Sequence, residues 1–122
     1  MNRARTILGA VLLALTAGSA VEAVNSPSGI DPRLRLEWEA GQSKSGRGEI
    51  NGYIYNDYGR AAINVRLLVE TVDASDRVID RAVGFVFGVV PVFNRSPFVV
   101  PVKTPGASYR ITVTSFEWRD GG

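Results

Sequence analysis

The chain reads as an all-β protein, an antiparallel β-sandwich of six to seven strands behind an N-terminal segment of different character. Three observations carry this. Apolar and polar residues alternate with period two along much of residues 33–119, the pattern of strands with one buried face. Clusters of Gly, Asn, Asp and Pro interrupt the alternation at the spacing of short strands. The same stretch holds no convincing helical pattern, so strands must pack on strands. A closed barrel satisfies the same periodicity and is the alternative.

The chain opens with a short basic head (Asn2-Arg3-Ala4-Arg5), an apolar run over residues 7–17, and the small-residue stretch Gly18-Ser19-Ala20-Val21-Glu22-Ala23. That order is the signature of a secretory signal peptide, so residues 1–23 are expected to be removed by a cut after Ala23, with Ala20 as second choice. A membrane-spanning helix needs about 20 apolar residues, which this run lacks, so no stable membrane insertion is expected after cleavage. Of the 122 residues, removal of 23 leaves 99, enough for one core and one domain. Arg3, Arg5 and Glu22 leave with the signal, so twelve cations face eleven anions in the remainder. That balance gives no electrostatic case for nucleic acid. The expected location is periplasmic or secreted.

Cysteine and histidine are both absent. Disulfides, thiolate metal sites, Cys nucleophiles and Ser-His-Asp chemistry are therefore excluded for this chain. An exported domain without disulfides must rely on its packed core.

Residues 24–32 (VNSPSGIDP) are rich in Pro, Ser and Gly and read as a flexible lead-in. In residues 33–40 (RLRLEWEA), Leu34, Leu36 and Trp38 share one face and Arg35, Glu37 and Glu39 the other, which predicts a strand. Residues 41–48 are a polar loop, residues 49–55 (EINGYIY) a second strand, and Asn56-Asp57-Tyr58-Gly59 a tight turn using positive φ. Residues 61–72 place Ile63, Val65, Leu67 and Val69 on one face of a long strand rich in β-branched residues. Asp73–Asp76 is a turn, and residues 77–90 are strand again, with Gly84 and Gly88 as bulge or bend positions. Residues 91–97 read as a loop and 98–102 as a short strand, placed at a sheet edge by Pro101. After Pro105-Gly106, residues 108–119 form the final strand, and 120–122 a tail. Phe116 and Trp118 fall out of phase with Ile111 and Val113, which predicts either a bulge near Ser115 or an outward aromatic pair.

An order of features between residues 48 and 113 resembles the FxLYD-type domains of bacterial exported proteins. Gly48-Glu49-Ile50-x-Gly52 opens a strand and Asn56 stands at a turn; Asn64-Val65-Arg66-Leu67-Leu68-Val69 runs toward Asp73, and Phe98-Val99-Val100-Pro101-Val102 follows. The naming motif is kept only in its final Asp73, and Asp76 stands where a turn glycine is usual. The resemblance covers about two-thirds of the mature chain. It implies an immunoglobulin-like sandwich and no shared enzymatic activity.

Tyr53 and Tyr55 share a strand face opposite Ile50 and Ile54, with Tyr58 in the turn beyond. These three tyrosines are the expected binding surface, a stacking platform for a sugar or peptide. The edge near residues 98–102 is a second candidate, suited to strand addition by a protein. Trp38, in phase with Leu34 and Leu36, is expected in the core. Glu37 and Glu39 stand roughly 7 Å apart by strand rise, a glycosidase-like separation. Arg35 on the same face favours a charged, solvated row instead. Ser43-Lys44-Ser45 lies in a Gly-rich loop without the burial that activates a lysine. Asp73, Asp76 and Asp80 lack the spacing of a calcium loop and suit turn capping. No catalytic residue, metal site or cofactor is expected. The expected activity is binding to a protein or glycan of the cell envelope, with a structural subunit of an envelope assembly, or a carboxylate-dependent glycan enzyme, as alternatives.

Overall fold

The computed structural model describes residues 26–27 and 31–120, so the expected signal peptide, its cleavage site, Gly121 and Gly122 lie outside the described residues. The strands are β1 (Ser26–Pro27), β2 (Leu34–Gln42), β3 (Gly48–Asn56), β4 (Ala62–Val72), β5 (Val78–Phe85), β6 (Val89–Val90), β7 (Arg95–Pro101) and β8 (Ser108–Trp118). Among the described residues there is no helix, and so none long and apolar enough to cross a membrane.

All pairings are antiparallel. Sheet one has the order β1-β2-β3-β7. In sheet two, β4 is central: β8 lies along one side, and β5 continued by β6 along the other. No pairing among the described residues closes one sheet onto the other, which makes the molecule a sandwich rather than a barrel. Leu34, Leu36, Ile50, Ile54, Phe98 and Val100 of sheet one meet Val65, Leu67, Val69, Ile111 and Val113 of sheet two in one core. Period-two patterning puts each set on a single face, and their burial is the main stabilising term in a protein without disulfides. Trp38 packs half-buried against this core.

Two hairpins, β2–β3 and β4–β5, turn through loops of the same design. In the first, Ser43 N–H donates to Arg47 O (2.8 Å) and Gly46 N–H to Ser43 O (2.9 Å). In the second, Asp73 N–H donates to Arg77 O (2.8 Å) and Asp76 N–H to Asp73 O (3.0 Å). Gly46 and Asp76 occupy equivalent positions, with φ of 84° and 65°; Gly takes this region freely and Asp is among the residues that tolerate it. The Asp73 carboxylate accepts from Ser75 and Arg77 N–H, both at 2.9 Å. Those backbone bonds, that of Arg77 foremost, hold its pKa below the usual aspartate range.

Several boundaries differ from the sequence reading. Gly41, Gln42 and Gly48 belong to strands, so the first hairpin loop is shorter than expected. The segment after β3 is a crossover between sheets, and neither Asn56 nor Gly59 has positive φ. Asn56 is buried instead, where its amide donates to Arg60 O (2.7 Å) and Val90 O (3.2 Å) and its carbonyl accepts from Tyr58 N–H. Pro97 lies inside β7, which begins at Arg95. Gly88 is a bend, with φ of 72°. Gly84 serves a different end: a Cβ there would lie 2.4 Å from Val100 Cγ2 on the other sheet, so its absence lets the sheets close at that corner. Ser26–Pro27, within the expected lead-in, pairs with Leu36 and Arg35. Phe116 and Trp118 pack against the core, and the β4–β8 register is irregular around Arg66 and Ser115; the bulge alternative holds.

Candidate functional site

Sheet one presents its outer face as three rows set by strand register. Arg35, Tyr55 and Arg95 form the first, Glu37, Tyr53 and Pro97 the second, and Glu39, Asn51 and Val99 the third. Alternation puts these side chains outward because Leu36, Ile50, Ile54, Phe98 and Val100 take the buried positions between them.

The first row is a closed polar network. The Tyr55 hydroxyl donates to Glu37 Oε1 (2.8 Å) and accepts from Arg95 Nη1 (3.1 Å). The Arg95 guanidinium lies 3.9 Å from the Tyr53 ring centroid, and that of Arg35 lies 4.8 Å from the Tyr55 ring, cation–π geometry that rigidifies both rings. Arg35 also forks onto Asp57 through Nε and Nη2. The Arg35 hydrogen bond holds the Asp57 carboxyl below its ordinary pKa, and Asp57 in turn raises that of Arg35. The Tyr55 hydroxyl bond raises the Arg95 pKa. Arg35, Arg95 and Tyr55 are thus committed to one another.

The tyrosine platform is therefore smaller than expected. Tyr53 and Tyr55 do lie together, their centroids 6.5 Å apart, but an arginine stacks on each ring, and of the two only Tyr53 lines an open groove. Tyr58 is not part of this face. It meets Trp118 edge-on (4.8 Å between centroids), with Arg33 stacked 4.2 Å from its ring and Phe116 beyond Trp118. Because Asn56 bonds the Tyr58 N–H, the chain turns toward the second sheet and carries the ring with it.

An open groove of about 370 Å³ runs beside Tyr53 across the second and third rows, lined by Glu37, Glu39, Asn51, Tyr53, Pro97 and Val99. Its apolar side is formed by the Tyr53 ring, Pro97 and the exposed Val99. Its polar side offers two carboxylates and an amide, with Asn51 held to Glu49 at 3.1 Å. The volume is at the lower end of ligand sites. Glu37 is engaged by Tyr55 and both glutamates lie on the same strand, β2, so they do not flank a cleft from opposite sides as a glycosidase pair does. Among the described residues no group of three or more acidic side chains is placed to hold a metal ion. Asp73 and Asp76 serve the β4–β5 turn, and Asp80 Oδ1 accepts from Arg81 N–H. Ser43 and Ser45 hydrogen-bond each other in the exposed hairpin loop.

Sequence reading missed Arg95 and Pro97 because Pro91 and Pro97 look like loop punctuation, while Val99 lay within the strand and edge it expected at residues 98–102. Asn51 carried a usable signal, its period-two phase with Tyr53 and Tyr55. No family model, curated protein or solved structure matches the chain.

Proposed function

We propose that this protein is an exported, non-catalytic binding module that holds a segment of an envelope glycan in the groove beside Tyr53. The observation that carries this reading is the pairing of an apolar rail with an acceptor-rich bank, Glu37, Glu39 and Asn51, on a sheet stiffened by the Arg–Tyr network. Sugar rings present a C–H face to such a rail and hydroxyl donors to such a bank. The N-terminal signal pattern and the likeness to FxLYD-type exported domains support an envelope location.

Two measurements test this. Intact mass of the protein recovered from an exporting host is expected to show a chain starting at Val24; retention of residues 1–23 in a membrane fraction overturns the export. Calorimetric titration with solubilised envelope glycans is expected to give binding that Tyr53→Ala or Glu39→Gln weakens on the order of tenfold or more. Equal binding by parent and Tyr53→Ala, or none to any glycan, overturns the site. Glycan turnover that Glu37→Gln abolishes, with folding intact, overturns the non-catalytic reading.

A further inference from the structure

Exposed strand edges invite pairing with other chains, and proteins normally guard them. Three of the four outer edges here are guarded. β1 covers part of β2 at Leu36 and Arg35. β7 carries Pro97 and Pro101, which donate no hydrogen bond. β5 holds Asp80 in the row that continues inward as Ala82 and Gly84, a charge that resists burial by an added strand. β8 is the exception among the described residues. It is eleven residues long, contains no proline, and its inward row of Tyr109, Ile111, Val113, Phe116 and Trp118 bears no charge.

We propose that β8 pairs antiparallel with β8 of a second copy about a two-fold axis at Val113, so that sheet two runs on through both molecules. The choice of occupant rests on charge and face complementarity. β8 changes face between Thr114 and Phe116, which leaves Ile111 and Val113 inward before the irregularity and Phe116 and Trp118 inward after it. A bulge of this kind sets two residues opposite one. Counting outward from Val113 with that extra residue absorbed, Thr112 faces Thr114 of the second copy, and Ile111 faces its Phe116. Arg110 then faces Glu117, and Tyr109 faces Trp118. Each position meets one of the same face, apolar to apolar and cation to anion, and the two-fold repeats every pair. A regular register would oppose Arg110 to Phe116 instead. Arg110 and Glu117 are both exposed. Their existing partners, Asp76 Oδ1 on Arg110 (3.0 Å) and Asn64 Nδ2 on Glu117 (3.1 Å), lie within the same molecule and leave the outer edge open.

Sedimentation of the purified protein over a dilution series tests this. The parent chain is expected to show a monomer–dimer equilibrium. Arg110→Glu alone, or Glu117→Arg alone, is expected to weaken it on the order of tenfold, because each creates two like-charge pairs per dimer. Mixing the two variants restores association, since every charged pair in the mixed dimer is again opposite in sign. Both positions are exposed, so circular dichroism should show unchanged folding, and Thr112→Lys gives an independent block beside the axis. A parent chain that stays monomeric at every concentration overturns the proposal and leaves the edge to a strand of another protein. A dimer indifferent to these variants, or a mixture that fails to re-form it, overturns it equally.

Discussion

Sheet one and sheet two share one core yet meet solvent differently. The outer face of sheet one is tied up by aromatic rings, guanidiniums and carboxylates held in a fixed network, and its edges carry proline or a covering strand. The outer face of sheet two carries Ile79, Val83 and Phe85 at 46%, 57% and 59% exposure on β5, with Phe87 almost wholly exposed beyond them, and among the described residues its β8 edge is open. A rigid polar face suits recognition of a donor-rich ligand, whereas an open strand edge whose inward row bears no charge suits association between chains. The difference teaches that one small sandwich can give its two sheets different outer surfaces because the buried faces fix both outer faces by alternation.

The comparison is broken most severely at the shared core. Leu67 is fully buried on the central strand of sheet two, between Gly84 and Val113 in the ladder. Leu67→Ala is expected to cost about 2–5 kcal/mol in chemical denaturation. A loss below about half a kcal/mol would contradict the placement of that face inward. Next comes the corner where the sheets meet. Gly84→Ala drives a Cβ against Val100 and is expected to cost about 1–3 kcal/mol, with Val100→Ala recovering part of the loss in the double variant. Independent, additive effects would show that the two side chains do not meet.

On the outer face of sheet one, Tyr55→Phe removes the hydroxyl that joins Glu37 to Arg95. A cost of about 0.5–1.5 kcal/mol is expected, with the fold intact by circular dichroism. The smallest effect concerns acid. Asp57 has a folded-state pKa lowered by Arg35, so its contribution is present above the ordinary aspartate value of about 3.9 and lost as pH falls through the lower folded value. Both side chains are substantially exposed, so solvent screening keeps this below about 1 kcal/mol. Comparing acid unfolding of the parent with Asp57→Asn isolates it; identical curves would remove Asp57 as a contributor.

Much of the fold was legible because period-two alternation reports burial directly. Leu34, Leu36, Ile50, Ile54, Leu67 and Val69 all lie on the faces their phase predicts. The candidate binding face was only half legible. Tyr53 and Tyr55 are neighbours on one strand and had to share a face, but their cover comes from Arg35 and Arg95, whose positions depend on ladder register with β2 and β7. Tyr58 was misplaced because a crossover and a tight turn draw on the same residues, Asn, Asp and Gly.

The sequence by itself determined the all-β class, most inward faces and the Asp73–Asp76 turn, since alternation and turn chemistry act between residues near in the chain. Ile63, read as inward, yields the buried place to Ala62 because the phase of β4 breaks at Asn64, where φ is 55°. Only the tertiary structure decided which strands became neighbours, which edges stayed open, and that Asn56 would be buried to bond Arg60 and Val90. Those outcomes depend on contacts between residues far apart in sequence, such as Tyr55 with Arg95 and Gly84 with Val100. No local pattern encodes them, because each exists only once both sheets have closed on the core.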